Sequence, residues 1–406
     1  MNIEFFISRR LAFNSKQSFS RFIIRVAIIA VALSVAVMIV AGAIVEGFQK
    51  EISEKVFGFW GHMVIRSYDQ NNSYGEEPVS INQNFYPSLE KVKGVKHLQV
   101  FATKPGIIKT NSEIEGVVLR GIGPDFDWSF LKEYIVEGNN FQPGDSSSQK
   151  KIIISQTTAE RLKLKVNDYL LVYFVQEPMR YRKLQITGIY KTGLEEYDRQ
   201  YALVDIGLIQ RLNDWKASEV GGFEVFINDV NDLDEMGNLI NENYVGQKLQ
   251  ARTLRQINPN LFDWLDLQNM NERVIIILMI LVAVINMTTV LLILILERTN
   301  MIGILKSLGG SNWMIRKVFL YQAAYITGLG LLLGNFLGIG LVLAQKYFHI
   351  IRLDESSYYV SVAPVLINSL YVILINAGTL VICLITLIIP SYLVSRISPV
   401  RAIRFE

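Results

Sequence analysis

The residues of this chain that could perform chemistry are few and far apart. Its three histidines, His62, His97 and His349, are widely separated, and none stands with another histidine or a cysteine at metal-ligand spacing. The single cysteine, Cys383, lies in an apolar run and is expected to pack as a small hydrophobic side chain. The segment "GGSNW" at 309–313 fails the Gly-x-Ser-x-Gly pattern of a nucleophilic serine, because tryptophan stands at its last position. The sequence also lacks a Gly-x-x-x-x-Gly-Lys-Ser/Thr phosphate loop, so it predicts neither catalysis nor nucleotide binding.

Composition places the chain between a soluble enzyme and a pure membrane bundle. It has 406 residues, enough for more than one unit, of which 50% are hydrophobic and only 19% are charged. The formal net charge of +3 is small and gives no indication of a nucleic-acid partner. We therefore expect membrane and aqueous parts in one chain.

Four stretches are apolar over the roughly 20 residues that a helix needs to cross the hydrocarbon core of a membrane. They predict transmembrane helices at 22–48, 273–296, 318–346 and 365–390. The first stretch could instead be a cleavable signal peptide, since small residues stand at 41–43. Its apolar region and its charged lead-in are both long for a signal peptide, which favours a membrane helix.

Lysine and arginine near these helices predict how the chain is oriented. Basic residues concentrate in the lead 1–21, the loop 297–317 and the tail 391–406, whereas 347–364 holds one arginine against two acidic residues. Both termini and the 297–317 loop are therefore predicted to be cytoplasmic. The segments 49–272 and 347–364 are predicted to lie outside.

Residues 49–272 are numerous enough to form a domain with its own core. Short runs rich in Val, Ile, Tyr and Phe, bounded by turn residues, indicate strands, and two capped helical patterns lie among them. The strands are predicted at 62–68, 115–122, 151–155, 168–175 and 182–190, and the helices at 155–164 and 230–244. The predicted fold is a membrane protein with four transmembrane helices plus a large extracytoplasmic mixed α+β domain inserted between helices 1 and 2.

The third apolar stretch contains a face of small residues. Gly330, Gly334 and Gly338 recur every fourth residue, which lets another helix approach closely, and we interpret this face as a packing surface. Asn335 and Asn376 lie inside separate apolar stretches and are expected to hydrogen-bond to neighbouring helices.

A short charged segment separates the second and third membrane helices. Met301, Ile304, Leu305 and Leu308 fall at i, i+3, i+4 and i+7, which predicts one apolar stripe on a helix too short to be stable alone. The glycines at 309–310 end this helix, and the serine that follows can cap the next one. Two interpretations remain open from these residues: an interfacial helix resting in lipid headgroups or on its own bundle, and a docking element for another protein.

Several segments resemble one family. "ERTNMIGILKSLGGSNWMIRKVF" (297–319) resembles the loop between the second and third spans of permeases in the lipoprotein-releasing and FtsX/MacB-like group of ABC transporters. "ALSVAVMIVAGAIVEGFQKEISEKVFG" (32–58) is similar to the first span of that family, and "IIPSYLVSRISPVRAIRFE" (388–406) to its closing segment. "IIISQTTAERLKLKVNDYLLVYF" (152–174) and "ITGIYKTGLEEYD" (186–198) resemble the exported domain of the lipoprotein-releasing branch.

The resemblance implies that the short helix is a coupling helix seated in a groove of a separate cytoplasmic ABC ATPase dimer. Its residues would be Met301, Ile302, Gly303, Ile304, Leu305, Lys306, Ser307, Leu308 and Gly309. The ATPase would bind ATP and Mg²⁺, so this chain would hold no cofactor and would not itself be an enzyme. Further implied partners are a second permease copy or paralogue, lipoprotein substrates, a periplasmic lipoprotein carrier and membrane lipid. The chain would lie in the bacterial inner membrane.

The outward extension of the first span is a candidate for contact with lipid. Phe48, Ile52, Val56 and Phe59 stand at helical spacing, so the first span is expected to continue outward, either to pack on the exported domain or to flank a lateral opening for acyl chains. Candidate wall residues of such a lipid cavity are Val45, Phe48, Met270 and Met279.

The segment 174–184 is predicted to be a hairpin between two strands, with three basic residues around a proline. It is either a solvated hairpin tip or, as the resemblance implies, a docking site for the carrier. The candidate contacts are Pro178, Met179, Arg180 and Arg182.

Two rival functions use the same predicted architecture. One is an FtsX-like permease that activates a cell-wall hydrolase and transports nothing. The other is a MacB-like drug or toxin exporter that lacks a fused ATPase.

Overall fold

The computed structural model describes residues 18–68, 77–110 and 113–396. Within these, the chain divides into two compact units, which we call the helical unit and the sheet unit. The sheet unit consists of Lys50–Asp263 together with Leu353–Ser361, and the rest forms the helical unit. The predicted cytoplasmic lead and tail lie outside the described residues at 1–17 and 397–406.

The elements follow one another with short connections. The helices are α1 (Ser18–Trp60), α2 (Ser129–Glu133), α3 (Gln156–Leu162), α4 (Glu195–Gln200), α5 (Ile206–Leu212), α6 (Leu233–Asn243), α7 (Leu254–Ile257), α8 (Pro259–Glu297), α9 (Thr299–Ser307), α10 (Asn312–Phe348), α11 (Glu355–Tyr358), α12 (Ser369–Ser391) and α13 (Leu393–Arg396). The strands are β1 (Met63–Ser67), β2 (Val79–Ser80), β3 (Val95–Lys109), β4 (Ile114–Ile122), β5 (Ile135–Gly138), β6 (Lys151–Ser155), β7 (Tyr169–Phe174), β8 (Arg180–Tyr190), β9 (Tyr201–Asp205), β10 (Glu219–Val220), β11 (Gly222–Ile227) and β12 (Leu249–Thr253).

Four helices of the described chain are long and apolar enough to cross a membrane: α1, α8, α10 and α12. All four exceed the roughly 20 residues that a bilayer requires: α1 has 43 residues, α8 has 39, α10 has 37 and α12 has 23. The predicted outward continuation of the first span is confirmed, because α1 stays helical to Trp60 with Ile52, Val56 and Phe59 fully buried.

The helical unit packs through its small residues. A Cβ atom added at Gly330 would lie 2.7 Å from the side chain of Val31, and one added at Gly334 would lie 2.8 Å from the carbonyl of Ala32. Gly338 makes the same close approach to α1. The glycine face of α10 is therefore a packing surface, as predicted, because only glycine lets the two backbones come this near.

Two amide side chains inside the helical unit are paired between helices. The amide nitrogen of Asn335 on α10 donates to the amide oxygen of Asn376 on α12 at 2.6 Å, and the reverse bond measures 2.9 Å. Each amide also donates to a carbonyl one turn earlier in its own helix. These bonds confirm the predicted structural role of both asparagines.

The sheet unit is built around ten hydrogen-bonded strands. The pairings β3–β4, β4–β9, β9–β6, β6–β8, β8–β7 and β7–β3 return to their starting strand, so six strands form a closed ring. From β3 the sheet continues outward through β11 and β1 to β12, and β5 pairs with β8.

Every predicted strand and both predicted helices are confirmed, with ends shifted by a few residues. The 15-residue β3 was not predicted, although it joins the ring to the outer strands.

A charged cluster lies in the core of the sheet unit. Arg120 of β4 and Glu224 of β11 are both almost completely buried and form an ion pair at 2.7 Å, and Gln99 of β3 donates to Glu224 at 2.6 Å. The guanidinium group lies 4.9 Å from the ring of Phe59 and 4.7 Å from that of Trp60. A buried cation thus anchors the outer end of α1 among the strands.

Candidate functional site

The short helix α9 forms between the second and third membrane helices as the sequence predicts. It ends at Ser307, with Leu308 as its C-terminal cap, and Gly309 follows with φ +88°, a backbone conformation that favours glycine. The hydroxyl oxygen of Ser311 then accepts a hydrogen bond from the backbone amide of Met314 at 3.2 Å and caps α10. Two separate helices therefore meet at a sharp turn.

The predicted single stripe of α9 is divided between the core and the surface. Ile302 is fully buried, and Met301 and Leu305 pack against the hydrophobic core of the helical unit. Ile304 remains 53% exposed and Leu308 79% exposed. Because each residue turns a helix by about 100°, Ile302 lies about 60° from Leu305 whereas Ile304 lies about 100° from it. Ile304 and Leu308 are therefore the most exposed apolar side chains of this segment, whereas Leu305 is half-buried. The assignment of residues 301–309 to ATPase coupling stays a prediction.

Lys306 ties α9 to the segment that follows α12. Its ammonium group donates to the backbone carbonyl of Val394 at 2.7 Å and to that of Ser395 at 3.4 Å. Partial burial, together with the nearby charge of Arg316, lowers the pKa of Lys306. Arg316 donates to the hydroxyl of Ser395, and its guanidinium lies 4.4 Å from the ring of Tyr392. These bonds join α9 and the start of α10 to the segment just after α12.

This arrangement suits docking and offers no reacting group. The exposed faces of Ile304 and Leu308 stand beside the polar, exposed Asn300 and Ser307. Apolar side chains at i and i+4 on a fixed helix are the usual anchors of a helix-in-groove contact. Among residues 18–68, 77–110 and 113–396, no three His, Cys, Asp or Glu side chains are grouped to hold a metal ion.

The predicted hairpin is formed by β7 and β8, and its tip projects Met179 into solvent. Arg180 is engaged internally: it binds the carboxylate of Asp214 at 2.7 and 3.0 Å and donates to the carbonyl of Leu212 at the end of α5. Its hydrogen bonds lower the pKa of Asp214. Arg180 thus fixes the turn end of the hairpin to the segment after α5.

The other two candidate residues of the hairpin, Pro178 and Arg182, do not bind Asp214 as Arg180 does. Pro178 is exposed beside Met179, and the guanidinium of Arg182 donates to the carbonyl of Tyr181 at 2.9 Å. The tip therefore presents mainly apolar surface. The assignment of these residues to carrier docking stays a prediction.

The four candidate cavity residues do not share one wall. Nine residues turn a helix by about 180° beyond whole turns, so Met270 and Met279 point to opposite sides of α8. Met270 is exposed, whereas Met279 packs against the core of the helical unit. Val45 and Phe48 are half-buried and lie one turn apart on α1. The assignment of Val45, Phe48, Met270 and Met279 to a lipid cavity stays a prediction.

Comparisons with known proteins agree with this architecture. Residues 26–242, more than half of the chain, match the model of the MacB-like periplasmic core domain, and residues 273–399 match that of the FtsX-like permease C-terminal region. The chain therefore belongs to the FtsX-like permease family with a MacB-like periplasmic core domain. The sheet unit is accordingly a periplasmic-type α+β domain inserted between the first and second membrane helices.

Within that family, the chain falls in the branch of the lipoprotein-releasing permeases. It is 24% identical to "Lipoprotein-releasing system transmembrane protein LolC" of Neisseria meningitidis serogroup B, over 98% of each chain. It is 22% identical to "Lipoprotein-releasing system transmembrane protein LolE" of Haemophilus influenzae, over 99% of each. Among solved structures, the periplasmic region of MacB from Actinobacillus actinomycetemcomitans is 12% identical, covers 49% of this chain and 91% of its own, and has a TM-score of 0.35.

Proposed function

We propose that this chain is the membrane permease subunit of an ATP-driven complex that extracts lipoproteins from the inner membrane and hands them to a periplasmic carrier. Its match to lipoprotein-releasing transmembrane proteins along nearly the whole of both chains supports this function. In the proposed complex a second permease, either another copy or a paralogue, completes the membrane part. A separate cytoplasmic ATPase dimer binds ATP and Mg²⁺, and both termini of this chain lie in the cytoplasm.

The observation that carries the proposal is the divided surface of α9. Ile302 and Leu305 fix the helix to its own bundle, while Ile304 and Leu308 are left outside on the same short element. Burying such a side chain contributes about 1.5–3 kcal/mol, which is enough for a docking contact that must follow the movement of a partner. Closure of the ATPase dimer on ATP would drag α9 and tilt the membrane helices joined to it.

Energy input is required by the chemistry of the substrate. Moving acyl chains into water costs about 0.8 kcal/mol for each methylene group, so a lipid anchor does not leave the membrane spontaneously. Tilting α1 and α8 would narrow an apolar cavity and raise the lipidated substrate toward the sheet unit while keeping its chains covered.

The docking role is tested by substituting the two exposed residues. In the Ile304→Asp/Leu308→Asp variant a charge replaces each apolar contact, so the ATPase should no longer copurify with the permease. The matched control is Ile114→Asp, which changes an isoleucine that is also exposed but lies on β4 of the sheet unit. Normal copurification of the double variant with the ATPase contradicts the docking role.

The substrate is tested by crosslinking from the sheet unit in native membranes. Lipoprotein and a soluble carrier should be captured. Capture of a cell-wall hydrolase instead would identify an FtsX-like activator, and capture of neither, together with drug or toxin export, would identify a MacB-like exporter. Hydrolysis of ATP by the purified chain alone would contradict the separate ATPase.

A further inference from the structure

The segment between the third and fourth membrane helices packs as part of the sheet unit. Although α10 and α12 belong to the helical unit, Leu353–Ser361 is grouped with Lys50–Asp263. The sequence analysis treated 347–364 only as a short external loop. We call residues 353–361 the strap, and its contacts show that it is firmly held at both its base and its tip.

The base of the strap is closed by backbone hydrogen bonds and fixed to α10. The amide of Leu353 donates to the carbonyl of Ser361 at 3.0 Å, and that of Ala363 donates to Ile351 at 3.1 Å. The buried side chain of Gln345 on α10 donates to the carbonyl of Ala363 at 3.0 Å and accepts from the amide of Ile351 at 2.8 Å. Gln345 therefore fixes residues 351 and 363, which flank the strap, to the end of α10.

The tip of the strap is bound by two lysines from other elements of the sheet unit. The carboxylate of Glu355 pairs with the ammonium group of Lys191, just after β8, at 2.6 Å. Lys55, on the outer part of α1, is only 7% exposed and donates to the backbone carbonyl of Tyr359 at 3.2 Å. The strap thus joins α1 to the loop that follows β8.

The loop that receives Glu355 is shaped for this contact. Gly193 has φ +79°, and a Cβ atom added there would lie 2.5 Å from a carboxylate oxygen of Glu355. The buried carboxylate of Asp198 holds the loop in place by accepting hydrogen bonds from the amides of Thr192 and Gly193, at 3.1 and 3.0 Å. The two lysines are balanced by two carboxylates, and the hydrogen bond that Lys191 donates to Glu355 raises the pKa of Lys191.

We infer that the strap is a permanent clasp that carries movement of α10 and α12 into the sheet unit, with Glu355 as its positioning residue. Helices α1 and α8 already continue from one unit into the other, and the strap adds a third connection from the remaining two membrane helices. This inference rests on the proposed function: when the ATPase moves α9, which is joined to α10, the clasp keeps the sheet unit in step with that movement.

The first experiment measures lipoprotein released per ATP hydrolysed by the complete complex in proteoliposomes. Loss of the pair in Glu355→Ala should lower this ratio by about three- to fivefold, while ATPase binding stays normal. The control is Glu115→Ala, which breaks the Arg161–Glu115 ion pair of the sheet unit away from the strap. The exchanged pair Lys191→Glu/Glu355→Lys should recover release that either single change loses.

The second experiment replaces the Lys191–Glu355 ion pair by a covalent crosslink. The chain has one cysteine, so Cys383→Ala provides a background for Lys191→Cys/Glu355→Cys. Linking these two residues with a short bifunctional thiosulfonate should restore release to the wild-type ratio, and cleaving the link with a reductant should lower it again.

Three results would decide the matter. Wild-type release by Glu355→Ala and by the unlinked cysteine variant would show that the strap merely packs. ATP hydrolysis without release by the linked variant would show that the strap must detach, which also overturns the inference. If the wild-type complex itself releases no lipoprotein, it is the proposed function that fails.

Discussion

The helical unit and the sheet unit bring their elements together by different means. In the helical unit, glycines such as Gly330 and Gly334 let backbones touch, and large apolar side chains such as Ile277 and Phe336 remain on the outside. In the sheet unit the strands are joined by a continuous ladder of hydrogen bonds, and even the core contains a charged pair, Arg120 with Glu224.

The difference follows from the solvent that each unit meets. Lipid does not drive apolar surfaces together, so membrane helices associate through close contact and a few shared hydrogen bonds. Water does drive them together, and a core stabilised in this way can accommodate an ion pair that is held by several hydrogen bonds. Four substitutions test this contrast, from the largest expected effect to the smallest.

Breaking the buried pair of the sheet unit should have the largest effect. Arg120→Met leaves Glu224 charged, buried and without its cation, which should lower the free energy of unfolding by about 3–5 kcal/mol. Urea unfolding of the purified chain, followed by tryptophan fluorescence, measures this loss. Arg120→Met/Glu224→Met should recover most of it, because no isolated charge remains. A single variant as stable as the wild type would show that the pair is not a structural feature of the core.

Acidification should weaken the sheet unit through His62. Burial lowers the pKa of this histidine from 6.5 to about 4, and its Nδ1 accepts a hydrogen bond from the backbone amide of Ile227. The pKa of His62 is lower in the folded protein than in the unfolded chain. The free energy of unfolding is therefore undiminished above pH 6.5 and decreases as the pH falls from 6.5 toward 4. The loss can reach about 3 kcal/mol.

The measurement is the difference in unfolding free energy between pH 7 and pH 5, compared with His62→Gln. The comparison is needed because burial raises the pKa of Asp125 and of Asp198, which acts in the opposite direction on acidification. An identical pH dependence in the variant would exclude His62 as the source.

In the helical unit, replacing a glycine of the α10 packing face by a large residue should lower stability. Gly334→Leu forces a side chain against Ala32 and Val35 of α1 and should cost about 1–3 kcal/mol. Gly340→Leu is the matched control on the same helix, since nothing lies within 4 Å of a Cβ atom added there. Thermal unfolding of the purified chain in detergent should place the first variant well below the second. Equal midpoints would show that α1 and α10 are not in close contact.

The smallest effect is expected for the paired asparagines. A hydrogen bond between membrane helices contributes about 0.6 kcal/mol on average, so Asn335→Leu should lower stability only slightly. A double-mutant cycle with Asn376→Leu in the same detergent isolates this coupling. Coupling of several kcal/mol would mean that the helical unit resembles the sheet unit more closely than its packing indicates.

Local patterns predicted the four long helices, the short helix α9 and five of the strands, but not their partners. The alternation of Val, Ile and Tyr identified strands such as 151–155, and the helical spacing beyond Phe48 identified the extension of α1. The strand β3 was missed because a proline and a glycine, Pro105 and Gly106, interrupt its apolar run. Its long pairing with β4 stabilises it regardless, and that pairing cannot be read from a single segment.

The candidate sites show the same limit. Periodicity placed a helix at 301–308, but the stripe alone does not show that Leu305 is half-buried against the bundle while Ile304 and Leu308 stay exposed. The engagement of Arg180 by Asp214 links residues 34 positions apart, and no spacing rule connects them. Glu355 and Lys191 are also far apart in the sequence, so no local pattern predicts that they pair.

Local sequence patterns predicted four apolar helices, one large domain between the first and second of them, and a short helix between the second and third. Hydropathy and period are local properties, set by the solvent around each segment and by the geometry of the backbone. Only the tertiary structure decided that Ile304 and Leu308 face outward, and that the strap belongs to the sheet unit. Both depend on which distant surfaces meet, and that choice is made by packing over the whole chain.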